Sequence, residues 1–326
     1  MTEQVQNAEF EMDVSLPWGA FPAEQYLIRH WEPASARSAV DQRRDLIRAF
    51  VQLDAIPQDW DATGRVYQSI TVTRVPTEQE VRDVLAPWRP LRWREAALHL
   101  WRDRDDEEIW LRTQYGPDSD EKFQRLREAD EDCDPAFEED CRSWTVLDDK
   151  ALFADDWSAA LDILPELVGP TAGWDAHNHR HLGRPDELEP LRRELRDSVA
   201  SALRLEGQGN DAAQLKTDDV EAGGGMALQA HVVATFLFVA DAETFVTEQL
   251  RLLFLDARGN IVRETRVPFE QTWEMRDGWN AGKFRDSNFW LDRDRSELGV
   301  QNDPGSILGE KYKISGEIGR VLYQLD

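Results

Sequence analysis

The chain has 326 residues and carries 64 Asp and Glu against 38 Lys and Arg, a formal net charge of -26. A nucleic-acid binder needs a basic patch or stripe to displace counterions from phosphates. The densest basic stretches here, Arg43-Arg44 and Arg192-Arg193, sit among acids, so nucleic acid and anionic membrane surfaces are excluded as expected partners and a basic protein or a cation is favoured.

Hydrophobic residues make up 41%, with 13 Trp and 13 Phe, enough to build a core and to exclude disorder throughout. The length exceeds a typical single domain. The expected organisation is an N-terminal α+β lobe over residues 1–168, with an acidic segment at 103–140, and a C-terminal α+β lobe over 186–326. The start of the chain is acidic without an apolar signal-like run, and no segment reaches the length of a membrane span, so a cytoplasmic protein is expected. Cys133 and Cys141 lie among carboxylates that raise thiol pKa values, so two unreactive thiols are expected.

In chain order, Pro17, Trp18-Gly19, Pro22 and Pro33 break up the first 34 residues. Residues 35–53 read as an amphipathic helix, with Val40, Leu46, Ile47, Phe50 and Val51 near helical spacing. Residues 65–75 are rich in β-branched side chains and predict a strand. Thr77 with Glu80 forms a capping box that opens a short helix through Leu85, expected to stop before Pro87. Residues 96–101 and 108–114 flank an acidic turn and predict a β-hairpin or two neighbouring strands. Residues 118–143 read as helical in part or loosely ordered, and a helix-like stretch resumes over 155–167.

Residues 187–205 carry a stripe of Leu188, Leu191, Leu195, Val199, Ala202 and Leu203 and predict another helix. Residues 206–225, with five glycines, read as a linker. Residues 227–240 and 245–255 are β-like. Asp256 to Asn260 is a turn signal, with Gly259 able to supply a positive φ. Residues 261–269 then return as a strand that 271–275 would extend. The tail at 311–325 adds one or two short elements. Alternating hydrophobicity with short turns favours antiparallel pairing. The fold class expected is therefore α+β, with a mixed helix and small-sheet lobe followed by a lobe based on an antiparallel hairpin.

Two motifs carry candidate chemistry. His177, His179 and His181 fall within five residues, after Asp175. In an extended segment alternate side chains share one side. Imidazole with a carboxylate suits zinc or another divalent transition metal, and His231 is a candidate fourth ligand. The stretch Asp175-Ala176-His177-Asn178-His179 resembles the first-strand metal motif of the amidohydrolases. That family adds His and Asp ligands around a barrel; here only His231 follows, without the repeating βα pattern of a barrel. The second motif, Asp130-x-Asp132-x-Asp134, resembles the opening of an EF-hand loop. Its sixth position is Pro135, whose φ is locked negative where a glycine turn is required, and its twelfth is Cys141 instead of a bidentate Glu. Nucleotide-loop, dinucleotide and nucleophile-elbow motifs are absent from the sequence. Trp273, Trp279 and Trp290 fall in or near a polar stretch at 276–290 and read as core anchors before binding groups.

Residues 101–160 hold 20 acidic and 8 basic side chains. The reading favoured by sequence is a non-enzymatic acidic binding protein, of inhibitor, immunity or accessory type, without a cofactor. Its partner-facing residues would be Asp103, Asp105, Asp106, Glu107, Asp130, Glu131, Asp132 and Asp134. Complementary charge of that kind accelerates association. The alternatives are a metal-dependent hydrolase using the histidine cluster, and a structural or assembly component whose charge maintains solubility.

Overall fold

The computed structural model describes residues 16–53, 55–63, 74–102, 108–132, 144–168, 181–182, 233–280 and 311–312. The expected strand at 65–75 lies almost wholly outside them. So do the 187–205 helix and the 206–225 linker.

The first helices are α1 (Pro22–His30) and α2 (Ala39–Val51). Pro22 opens α1, where its missing N–H costs nothing. Ser38 caps α2 by accepting the Asp41 N–H at 3.1 Å. A two-residue strand, β1 (Ala55–Ile56), follows. The capping box forms as expected: Thr77 Oγ1 accepts the Glu80 N–H, and Glu80 Oε2 accepts the Thr77 N–H at 2.9 Å.

The helix beyond the box does not stop before Pro87. It runs as α3 (Glu78–Glu80), a π-helical turn (Val81–Leu85) and α4 (Ala86–Trp88). In the wider turn the Ala86 N–H reaches back to the Val81 carbonyl, so Pro87 enters near the start of a new helical segment, where no donor is needed.

The expected hairpin at 96–114 is also corrected. Residues 96–101 belong to a helix, α5 (Leu91–Arg102), and only the second half is a strand, β2 (Glu108–Arg112). Trp93, Ala97, Leu100 and Trp101 are all buried, and their spacing is helical once the window is extended upstream. A short apolar run read alone fits either element.

The chain continues through α6 (Ser119–Asp132), β3 (Trp144–Leu147), α7 (Lys150–Phe153) and α8 (Ala159–Ile163). The expected helix at 155–167 is thus shorter, and Pro165 begins a 3-10 turn (Pro165–Val168). A second two-residue strand, β4 (His181–Leu182), pairs in parallel with β1. Next come β5 (Val233–Ala240), a helical turn α9 (Thr244–Thr247), β6 (Gln249–Asp256) and β7 (Ile261–Pro268). The 256–260 turn forms as expected, with Gly259 at φ 78°. Residues 271–275 do not extend β7. Pro268 lacks the N–H to continue the ladder, and a 3-10 turn leads into α10 (Thr272–Asn280). The last described strand is β8 (Lys311–Tyr312).

The main sheet has the order β3-β2-β5-β6-β7-β8. Its right-hand part, β5 to β8, is antiparallel, as expected for the C-terminal half. Its left-hand part is parallel: β2 pairs with both β3 and β5 in the same direction. The protein is therefore an α+β fold on a mixed sheet.

Both faces of that sheet are covered, which explains why every residue of β5 is buried. Alternation sorts the side chains. Ile109, Leu111, Leu147, Leu237, Val239, Leu253 and Leu255 join the core formed with α1, α2, α4 and α5. Trp110, Phe236, Phe238, Leu252 and Phe254 point the other way, toward Phe123 and Leu126 of α6 and Met275 of α10. Trp279 stacks edge-on against Phe236 at 5.3 Å and so serves as a core anchor.

Candidate functional site

The parallel strands β2 and β5 end side by side, with Arg112 opposite Ala240. From there the chain departs in opposite directions. After β2 it passes through α6 and returns as β3 on one side; after β5 it turns through α9 into β6 on the other. In open sheets, a crevice outside the carboxyl ends of strands at such a divergence is where ligands bind. A crevice of about 330 Å³ lies there.

Three segments form its floor. The Thr113 N–H donates to the Ala240 carbonyl at 3.0 Å, and the Asp155 N–H donates to the Thr113 carbonyl at 2.9 Å. Asp155 holds φ 64°, a left-handed conformation that aspartate and asparagine adopt more readily than other non-glycine residues. Such conformations persist where surrounding structure enforces them, and they cluster at functional sites.

The walls are polar with one aromatic group. Trp157 lies partly on the N-terminal core and partly against the crevice. Arg251 and Arg266 reach the crevice from β6 and β7, both already engaged. Arg251 pairs with Glu264 across the strands. Arg266 Nη2 donates to Asp241 at 2.6 Å and lies 2.9 Å from Glu243, while its Nη1 donates to the Gln249 carbonyl. Burial works against ionisation of Asp241, but the Arg266 hydrogen bond and charge together with the Thr244 N–H outweigh it and hold the carboxyl below its usual range. The Asp155 carboxylate, by contrast, is exposed and makes no hydrogen bond or ion pair among the described residues. The crevice therefore presents a free carboxylate, a partly exposed Glu243 and an indole, while its cations are committed.

Arg112, at the end of β2, locks the region beneath. It is buried and donates to the Gln114 carbonyl at 3.0 Å and to Ser119 Oγ at 2.7 Å; it also pairs with Asp148 and Asp120. Its guanidinium rests over Tyr115 at 4.6 Å. The end of β2, the start of α6 and the end of β3 are thereby held as one unit.

The residues singled out from sequence fall elsewhere. Asp175, His177, His179 and His231 lie outside the described residues. His181 is placed through its backbone in β4, opposite Ala55. Among the described residues, no group of three or more His, Cys, Asp or Glu is arranged to hold a metal ion. Asp103, Asp105, Asp106, Glu107 and Asp134 also lie outside. Asp130, Glu131 and Asp132 form the carboxyl-terminal turn of α6, which contains no basic residue.

Sequence reasoning missed the crevice. The signal available was the polar residue directly after an apolar strand, Thr113-Gln114 after β2 and Asp241 after β5. What could not be read was that these two strands, more than a hundred residues apart, are parallel neighbours. Among the described residues, no helix is long and apolar enough to cross a membrane. Compared with protein-family models, with curated proteins and with solved structures, the chain matches none.

Proposed function

We propose that the chain is an acidic, non-enzymatic binding protein of the cytoplasm that engages a basic protein, as an inhibitor, an immunity protein or an accessory subunit. The observation that supports this reading is the carboxyl end of α6. A helix carries roughly half a negative charge at that end, and each unfavourable side-chain charge there costs about 0.3–1 kcal/mol. Asp130, Glu131 and Asp132 all fall in that turn, which contains no basic residue, within a chain of net charge -26. A basic partner converts this repulsion into attraction and gains association rate from it.

The test is recovery of partners from cytosol at low and at high salt, followed by binding kinetics for the protein recovered. A basic protein retained at low salt and released at high salt is expected. With the triple variant D130N/E131Q/D132N its association rate should fall about tenfold while dissociation changes little. Recovery of no basic protein, or an association rate untouched by the triple variant, would remove the reading.

A further inference from the structure

We propose that the crevice at the carboxyl ends of β2 and β5 is a receptor for a single arginine side chain of the basic partner, a refinement that rests on the reading of such a partner. Its size suits this occupant: about 330 Å³ lies at the lower limit of small-ligand sites, which run from roughly 300 to 1,000 Å³. Its position suits a ligand, because chain connections diverge there at the carboxyl ends of the strands.

The chemistry selects the charge. An anion would have to draw Arg251 from Glu264, or Arg266 from Asp241 and Glu243. A cation meets Asp155, whose carboxylate is unpaired among the described residues, and Glu243, which is 60% exposed despite its contact with Arg266. Trp157 lines the same space. A guanidinium can stack on an indole and still present a flat fork of donors to a carboxylate, whereas an ammonium cannot do both equally well. The rigid floor through Thr113, Ala240 and Asp155 reduces the reorganisation needed on binding.

The test uses capped amino acids and amide NMR on the full chain. N-acetyl-arginine amide should bind saturably in the millimolar range, shifting the backbone amides of Thr113, Asp155 and Ala242 and the Trp157 indole N–H. The lysine analogue should bind several-fold more weakly, and the glutamate analogue should leave these signals unmoved. Asp155→Asn should weaken the arginine probe about tenfold, the loss of one charge-assisted hydrogen bond. Asn tolerates positive φ, so this substitution preserves the local backbone. Glu243→Gln, at an exposed site, provides a second variant and should weaken the probe several-fold.

Non-saturable shifts spread over the acidic surface, or equal affinity in both variants, would overturn the proposal. The α6 variant D130N/E131Q/D132N should bind the probe unchanged. If the probe fails while that variant still slows partner association, the crevice assignment falls and the basic-partner reading stands. If the probe binds as described while partner association ignores the α6 charges, the arginine site stands and the reading falls.

Discussion

The Thr113 N–H donates to the Ala240 carbonyl at 3.0 Å, one residue past the last paired positions of β2 and β5. This bond closes the parallel ladder at the edge of the crevice, and the Thr113 carbonyl accepts from Asp155 on the other side. Thr113→Pro removes the donor from a buried position and should cost about 3 kcal/mol or more. Thr113→Val keeps the N–H and loses only a long hydroxyl contact to Ala240, so its cost should stay near about 1 kcal/mol. Urea denaturation of the two variants gives the comparison.

Asp241 and Arg266 set a pH dependence. The folded-state pKa of Asp241 lies below its usual value near 3.8. At neutral pH both folded and unfolded chains carry it ionised, and the pairing contributes fully. As pH falls below about 4, the unfolded chain takes up the proton first and the contribution fades. Asp241→Asn should therefore be destabilised by about 1–2 kcal/mol at pH 7, with the gap narrowing toward pH 3. Melting curves across that range would show it; a constant gap would mean that the ion pair is not its source.

Arg89 and Glu166 are fully buried partners, with Nη1 2.9 Å from Oε2. The approach is off the hydrogen-bonding direction, leaving the guanidinium nitrogens without aligned acceptors among the described residues. The guanidinium lies instead over Trp88 at 4.0 Å and Phe21 at 5.1 Å. Burial pushes the Glu166 carboxyl above its usual range, and Arg89 opposes that rise. Arg89→Met strands a buried carboxyl and should cost about 3–5 kcal/mol. The double variant Arg89→Met/Glu166→Leu should recover most of this, because an apolar pair removes both desolvation penalties. Equilibrium unfolding of the single and double variants closes the cycle.

Gly259 carries the β6-β7 turn at φ 78°, and a Cβ there would stand 2.6 Å from Leu161 Cδ1. Gly259→Ala should destabilise by about 1 kcal/mol or more through backbone strain alone. Adding Leu161→Ala relieves the contact but not the φ, so in the Leu161→Ala background the penalty of Gly259→Ala should shrink without vanishing. Denaturation midpoints of the four proteins measure both parts.

Local chemistry was legible where it acts within a few residues. The Thr77–Glu80 box and the Asp256–Asn260 turn form as their residues predict, and the helix expected over 35–53 forms over the shorter span Ala39–Val51, behind a Ser38 cap. Each depends on side chains reaching their own backbone or on one residue's φ preference. The misread elements, α5 and α10, were short apolar or aromatic runs whose period is ambiguous in a narrow window. Packing decided them: Trp93, Ala97 and Trp101 bury on one core, and Met275 on the other.

By itself the sequence determined the acidity of the surface, the α+β composition and the antiparallel hairpin of the C-terminal half, because these follow from charge, periodicity and turn chemistry along the chain. Tertiary structure alone decided that β2 lies in parallel between β3 and β5, and so created the crevice bounded by Thr113, Asp155 and Asp241. Hydrogen bonds between strands carry no sequence signature, since every backbone offers the same donors and acceptors. The choice of neighbour was made by burial of alternate side chains on two faces at once, a property of the whole sheet.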